Sequence, residues 1–137
     1  MARSQATVAY LGMWRDMAQA GTTSDWQSPI LAQYAMGDAL SVISRGLYAD
    51  HLNGLVTKGT PKNSPTVTSA SPPTNPTTVV ISDCGDSTHW LKYRASTDQR
   101  YGGAGGHRAI TAEVQKQSDG AWKVTSFAVR GLGTCGN

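Results

Sequence analysis

Apolar side chains recur with helical spacing in the first part of the chain. In the segment from 6 to 20 they fall at i, i+3, i+4 and i+7, with two further apolar residues beside them. These residues are Tyr10, Met13, Trp14 and Met17, with Leu11 and Ala18 at the sides of the stripe. The pattern predicts an amphipathic helix that Gly21 ends.

Two shorter helices are predicted to follow. Ser28 and Pro29 suit the N-cap and the first position of the second helix. Asp38 suits the N-cap of the third, and Asn53-Gly54 its end. The face of this third helix is expected to carry Leu40, Ile43, Leu47 and His51. The helical region is therefore predicted to span residues 5–54.

The pattern then changes to the two-residue period of strands. Residues 57–77 form a connection rich in Pro, Ser and Thr, which predicts an edge strand or, alternatively, a disordered linker. An antiparallel meander is predicted over residues 78–134, with Cys84–Ser87 as a tight turn leading to a hairpin partner at 88–95. Gly102–Gly106 is predicted as a hairpin loop, and Asp119-Gly120 as a hairpin turn. The last strand changes face after Val124, which indicates a bulge.

These elements predict one α+β domain over residues 1–137. Three N-terminal helices would pack on one face of a curved, mostly antiparallel sheet of four to five strands. The hydrophobic fraction of 39% and the four tryptophans suffice for one core. Charged residues make up only 15%, which is typical of an extracytoplasmic protein.

Charge and hydropathy exclude some partners. The net charge of +3 comes from scattered lysines and arginines, so we expect no nucleic-acid partner. No stretch approaches the roughly 20 apolar residues of a membrane span. Because export is expected, we predict that a signal peptide, lipid anchor or transmembrane helix precedes this segment.

Cys84 and Cys135 lie near the ends of two predicted strands, which predicts a disulfide between them. The alternatives are a metal site and a reactive thiol. The pair lacks the close Cys spacing of a structural zinc site, and a free thiol is unusual in an exported protein. The disulfide indicates folding in an oxidising compartment.

The order of elements, the Trp122-Lys123-Val124 run and the terminal Gly-Leu-Gly-Thr-Cys resemble the cone-shaped fold of nuclear transport factor two, SnoaL-type cyclases and ketosteroid isomerases. Four further segments resemble uncharacterised exported proteins and lipoproteins of actinobacteria. They are 25–31, 34–40, 83–86 with Trp90, and 122–135. The resemblance implies the fold and an envelope location, but no particular activity.

Three side chains are candidates for catalysis. His89 would stand near the mouth of the cone if Leu91 and Tyr93 face the helices, and histidine side chains commonly transfer protons in enzymes. Asp83 and Asp86 flank the predicted turn as a catalytic pair or as cation ligands. The structural alternative for His89 is a surface histidine. For Asp83 and Asp86 it is an aspartate whose side chain bonds to the backbone of a turn. The tyrosine and carboxylic acid that form the oxyanion hole of related isomerases are not recognisable, and no cofactor motif is present.

Aromatic residues and one arginine are candidates for lining a pocket. They are Tyr10, Trp14, Tyr34, Tyr48, Tyr93 and Arg130. Aromatics at helical spacing more often fill a core, and Arg130 suits either the interior or a solvated rim.

The sequence therefore favours an exported, non-enzymatic binding or assembly domain of the bacterial cell envelope. A small SnoaL-like or isomerase-like enzyme acting on a polyketide-like or steroid-like ligand is one alternative. A carrier of a small apolar ligand is another. The expected partners are a second copy bound through the sheet face or an envelope protein.

Overall fold

The computed structural model describes residues 1–136 and has an α+β architecture. Within that range it holds two α-helices, one 3-10 helix and seven strands. The helices are α1 (Ala2–Gly21), the 3-10 helix (Pro29–Ala32) and α2 (Gly37–Leu52). The strands are β1 (Leu55–Gly59), β2 (Thr66–Ser71), β3 (Thr78–Asp86), β4 (Trp90–Arg94), β5 (Arg100–Tyr101), β6 (His107–Lys116) and β7 (Trp122–Val129).

The first and third predicted helices are confirmed, but the second is only a 3-10 turn. Its backbone leaves the helix because the residues that follow bond to β7. The amide of Met36 donates to the carbonyl of Val124, and the amide of Val124 donates to the carbonyl of Tyr34. The Ser28 side chain makes no capping bond.

The caps and faces of the long helices differ from expectation at three positions. Helix α2 has Met36 at its N-cap, and Asp38 lies in the first turn, where its charge favours the helix dipole. His51 is exposed, and Asp50 takes the buried position beside it. On α1, Leu11 is exposed.

The larger sheet has the antiparallel order β2-β3-β6-β7. Strand β2 confirms the predicted edge strand, so this part of the connection is not a disordered linker. The β6–β7 hairpin at Asp119-Gly120 is confirmed, and so is the bulge. Glu113 pairs with Ser126 and Val114 pairs with Val124, so Thr125 is the extra residue.

The smaller sheet has the order β1-β4-β5, and it overturns the predicted hairpin between 77–83 and 88–95. Strand β3 continues through Cys84 to Asp86 and pairs with β6. Strand β4 pairs instead with β1, with Thr57 opposite Lys92. The glycine run 102–106 therefore connects the two sheets and does not form a hairpin loop. We predicted one sheet of four to five strands. The described residues instead form seven strands in two sheets.

The core lies between the two α-helices and the inner face of the larger sheet. Tyr10 and Met13 of α1 and Ile43 of α2 are buried against it. From the sheet it receives Val79, Ile81, Ala112, Val114 and Val124, all at most 2% exposed. The opposite face of this sheet carries mostly polar residues, including Ser82, Thr111, Glu113 and Ser126.

The predicted disulfide between Cys84 and Cys135 is confirmed, with 5.8 Å between the Cα atoms. The metal-site and free-thiol alternatives are therefore wrong. Cys84 lies within β3 and not at its end. The bond fixes the C-terminal tail beside β6, where Gly133 donates its amide to the carbonyl of His107.

Replacement of both cysteines with serine is expected to lower the free energy of unfolding by roughly 4 kcal/mol, because the bond closes a loop across 51 residues. Urea unfolding of the oxidised protein and of the double variant measures the difference. A loss below about 1 kcal/mol would show that the bond does not restrict the unfolded chain as expected.

Asp16 is a buried carboxyl on α1. It is 7% exposed, and its Oδ2 atom has no hydrogen-bond partner. Burial raises the pKa of this carboxyl, and the nearby Arg15 lowers it by less. The folded state therefore holds the proton to a higher pH than the unfolded state does, and Asp16 costs stability as the pH rises above about 4.

The Asp16→Asn variant is expected to be more stable than the parent at pH 7 by about 1 kcal/mol, because it removes a buried charge. The advantage should shrink towards pH 3, where the parent carboxyl is protonated in both states. Thermal unfolding across pH 3–7 tests this, and an advantage independent of pH would contradict it.

Candidate functional site

A cavity of about 330 Å³ lies between the helices and the two sheets. Helix α2 forms one wall through Ile43, Leu47 and Asp50, and the ends of β3, β6 and β7 form the opposite wall. Strand β4 and the segment around Pro61 complete it. The lining is mostly apolar, so the cavity favours a ligand with a largely apolar surface.

Three aromatic rings, which we call the aromatic trio, line this cavity: Trp14, Trp90 and Phe127. The rings of Trp14 and Trp90 meet edge to face with centroids 5.9 Å apart, and those of Trp14 and Phe127 meet similarly at 5.6 Å. Edge-to-face contacts are a favourable arrangement of aromatic pairs. Each ring of the trio therefore restricts the orientation of its neighbour.

One ion pair crosses the cavity wall. Lys92 of β4 donates to Oδ1 of Asp50 of α2 at 2.8 Å. The Asp50 side chain is 11% exposed and that of Lys92 is 48% exposed, so the pair lies where the cavity opens to solvent. Gly46, one helical turn before Asp50, also lies at this opening.

Asp83 is buried, and its two carboxylate oxygens accept three hydrogen bonds. The Tyr10 hydroxyl and the Asn63 amide donate to Oδ2 at 2.7 and 2.8 Å. The Ser64 backbone amide donates to Oδ1 at 2.6 Å. Burial, followed by the bond to Asp83, raises the pKa of Tyr10 far above its usual range, so the phenol stays protonated as a donor. The carboxylate thereby ties α1 and the connection to β3.

Asp86 lies at the edge of the cavity with its own partners. Its Oδ1 accepts the backbone amide and the hydroxyl of Thr88 at 2.9 and 2.5 Å. These two bonds are the main reason that the pKa of the Asp86 carboxyl is lowered. The nearby His107 and Lys62 lower it further, but by less. The arrangement is that of a turn aspartate with an ionised side chain.

The candidate residues named from the sequence do not converge on one site. His89 is exposed outside the cavity, because pairing with β1 turns Trp90 and Lys92 of β4 inward. This is the reverse of the face expected from Leu91 and Tyr93. Asp83 and Asp86 each hold separate sets of partners.

Among the candidate pocket residues, Trp14 lines the cavity. Tyr10 is fully buried in the core, and Tyr34 covers Gly12 of α1. Tyr48 is 43% exposed and packs edge to face on Trp26. Tyr93 lies under the Lys58 ammonium on the other side of the smaller sheet. Arg130 is an exposed rim residue beyond β7.

Sequence reasoning missed several residues of the cavity: Asp50, Asn63, Trp90, Lys92 and Arg108. Asp50 was detectable, because it falls at i+7 from Ile43 and i+3 from Leu47 on the buried helix face. The β4 residues were not, since their inward face depends on which strand β4 pairs with.

No protein-family model matches this sequence, and no curated protein is significantly similar to it. Solved structures are similar in fold. The intermembrane space region of the chloroplast protein ARC6 superposes with a TM-score of 0.66 at 15% identity, covering 95% of this chain and 96% of that one. A protein of unknown function with a cystatin-like fold from Nostoc punctiforme gives 0.52 at 11% identity, covering 90% and 88%.

A ketosteroid isomerase-like protein from Erwinia carotovora gives a TM-score of 0.47 at 9% identity, covering 92% of each chain, and is too distant to carry an argument. The first two likenesses support the cone-type α+β fold and show nothing beyond the fold. Similarity to actinobacterial lipoproteins stays a prediction.

The Tyr10→Phe variant is expected to lose about 1–3 kcal/mol of folding free energy, because it removes one of the donors to a buried carboxylate. Tyr101→Phe is the matched control, since that ring is 44% exposed, and it should change stability by less than about 0.5 kcal/mol. Chemical unfolding of both variants measures the effect. Equal stability of the two would contradict the proposed role of the Asp83 bonds.

Proposed function

We propose that this chain is an exported, non-enzymatic binding domain whose cavity takes up a small, mostly apolar molecule. The cavity itself carries the proposal. It has a volume of about 330 Å³, a lining that is mostly apolar, and a few polar groups at its opening. These are the features of small-molecule sites in proteins.

The arrangement of titratable groups favours binding over catalysis. The Asp83 carboxylate accepts its three hydrogen bonds from donors that tie α1 and the connection after β1 to β3. Asp83 is therefore poorly placed to act as a base. His89 lies outside the cavity. Asp50 and Lys92 line it, but they neutralise each other through a direct bond. The small-enzyme alternative therefore has less support than the carrier or binding role.

Export is supported by the disulfide, because such bonds persist in oxidising compartments. Among residues 1–136, neither α-helix has the length and apolar character needed to cross a bilayer. Attachment to the outer face of a membrane, by a lipid or by a segment beyond this one, stays a prediction.

Assembly with a protein partner is the second candidate function, and one observation favours it. Val42 and Val129 line the cavity, and both are 43% exposed. Leu132, three residues after Val129 in the sequence, is 51% exposed and lies against Gly106. Apolar side chains of a partner would fit this rim. The homodimer through the sheet face has less support, because that face is mostly polar.

A substitution at the cavity mouth tests the proposed function. Gly46 lines the cavity, and a Cβ added there meets no atom within 4 Å. Gly46→Leu is expected to place a side chain across the opening and to weaken binding of phenylnaphthylamine, an apolar fluorescent probe, by about tenfold or more. Probe emission during titration gives the dissociation constants.

Gly46→Ala is the matched control, because it makes the same backbone change and adds only a methyl group. Both variants should be at least as stable as the parent, since glycine is unfavourable within a helix. The Ala variant should bind the probe within about twofold of the parent. Unchanged binding by the Leu variant, or no binding by the parent, would contradict a ligand site in the cavity.

A further inference from the structure

The charged side chains of the cavity lining differ in whether the protein pairs them. Among residues 1–136, the charged side chains that line the cavity are Asp50, Asp86, Lys92 and Arg108. Asp50 and Lys92 bond to each other at 2.8 Å. Asp86 accepts two bonds from Thr88, and its Oδ2 atom lies 3.6 Å from Nε2 of His107. Arg108 forms no ion pair with any acidic residue in the described part of the chain.

Arg108 lies at the end of the apolar face of the larger sheet. It stands in β6 at two-residue spacing from Ile110 and Ala112, which are buried in the core, so its side chain leaves the strand on the cavity side. Its partner on β3 is Gly85, which has no side chain to cover it. A cation therefore ends a face that is otherwise apolar.

The guanidinium of Arg108 stands at the opening of the cavity. Its Nη1 atom donates to the carbonyl oxygen of Arg130 at 3.3 Å. Arg130 directly follows Val129, which lines the cavity and is 43% exposed. A guanidinium carries five N–H donors, and this is the one hydrogen bond that they form among residues 1–136. Because Arg108 is only half-buried, the other donors are available to a ligand.

The charges near Arg108 leave this end of the cavity with an excess of positive charge. Asp86 is the acidic residue here, and the charges that lower the pKa of its carboxyl are those of His107 and Lys62. Two full positive charges, on Arg108 and Lys62, therefore accompany one carboxylate. Such an excess favours an anionic group of a ligand at this point.

A carboxylate suits this position better than a compact anion of another shape. It matches the planar fork of a guanidinium through two parallel hydrogen bonds. The rest of the lining is mostly apolar, so the remainder of the ligand must be apolar as well. Because Arg108 stands at the opening, the carboxylate keeps part of its contact with water while the apolar body fills the interior.

We infer that the cavity takes an apolar molecule that carries a carboxylate, and that this carboxylate bonds to the guanidinium of Arg108 at the opening. The inference rests on the proposed function, which supplies the cavity as a small-molecule site. It adds the charge of the ligand: an organic acid is favoured over its neutral amide.

A pair of probes with nearly the same shape tests this charge. Naphthoate carries a carboxylate where naphthamide carries a neutral amide on the same two-ring frame. Each is titrated at pH 7 against the parent protein loaded with phenylnaphthylamine, and the loss of probe emission gives both affinities. Naphthoate is expected to bind about tenfold more tightly, although an ionised group is more costly to remove from water than an amide.

Two arginine variants locate the partner of the carboxylate. Arg108→Gln removes the charge, and the preference for naphthoate is expected to fall to about twofold or less. Arg130→Gln is the matched control, because it removes an exposed positive charge from the same rim, outside the cavity lining, and keeps the backbone carbonyl that Arg108 contacts. The tenfold preference should persist in this control.

Binding of naphthamide shows whether the cavity of each variant is intact, and its affinity should stay within about twofold of that of the parent. Arg108→Lys keeps the positive charge without the planar fork, so it should retain a preference for naphthoate of at least about threefold. Loss of that preference in the Lys variant, with naphthamide binding unchanged, would contradict a site selected by charge.

The pKa of the bound acid provides a second readout. An adjacent guanidinium favours the ionised form of a carboxyl group. Naphthoic acid that is isotope-labelled at its carboxyl carbon and followed by NMR should therefore have a lower pKa when bound to the parent than when bound to Arg108→Gln.

Equal affinities of the parent for the two probes, or a tenfold preference that survives in Arg108→Gln, would overturn the inference and leave the apolar binding site intact. An equal pKa of the bound acid in the parent and in Arg108→Gln would overturn it too. Failure of phenylnaphthylamine to bind the parent would instead remove the proposed function, and the inference with it.

Discussion

A buried carboxylate joins three parts of the chain that are distant in sequence. Asp83 of β3 accepts bonds from Tyr10 of α1 and from Asn63 and Ser64 of the connection after β1. The connection is thereby fixed along the end of β3, where Lys62 and Asp86 also exchange backbone bonds. Pro61 and Asn63 form part of the cavity wall, so the shape of the cavity depends on this carboxylate.

The same arrangement explains why a tyrosine and an acid that lie side by side need not be catalytic. Catalysis requires at least one group that is free to exchange a proton with a ligand. Tyr10 is 0% exposed, and its proton is committed to Asp83. The pair is better understood as a structural link, while the polar groups that face a ligand lie at the cavity opening, among them Lys92.

Much of the fold was predictable because it depends on local signals. The helical stripe of α1, the Asp119-Gly120 turn and the bulge near Val124 each follow from a few neighbouring residues. The disulfide was predictable from the position of its cysteines. The hairpin expected at Cys84–Ser87 was wrong because β3 continues through Gly85 to Asp86 and pairs with β6. Gly85 therefore lies within a strand, where a Cβ would meet the Ile110 side chain at 2.7 Å.

The candidate site was less predictable, because its residues come from pairings that no local pattern encodes. Strand β4 pairs with β1 across a long intervening segment, and this choice decides that Trp90 and Lys92 face inward while His89 faces solvent. A one-residue difference in register exchanges the two faces of a strand completely. Asp50 was the exception, since its helical spacing from Ile43 and Leu47 places it on the buried face.

The central claim is that the space beside the aromatic trio is an open, apolar cavity and not a collapsed core. A crystal of the protein pressurised with xenon tests this most directly, because xenon enters apolar cavities and scatters strongly. The account predicts a xenon peak in contact with Trp14, Trp90 and Phe127. Absence of xenon, with these rings packed against Ile43 and Leu47 of α2, would contradict it.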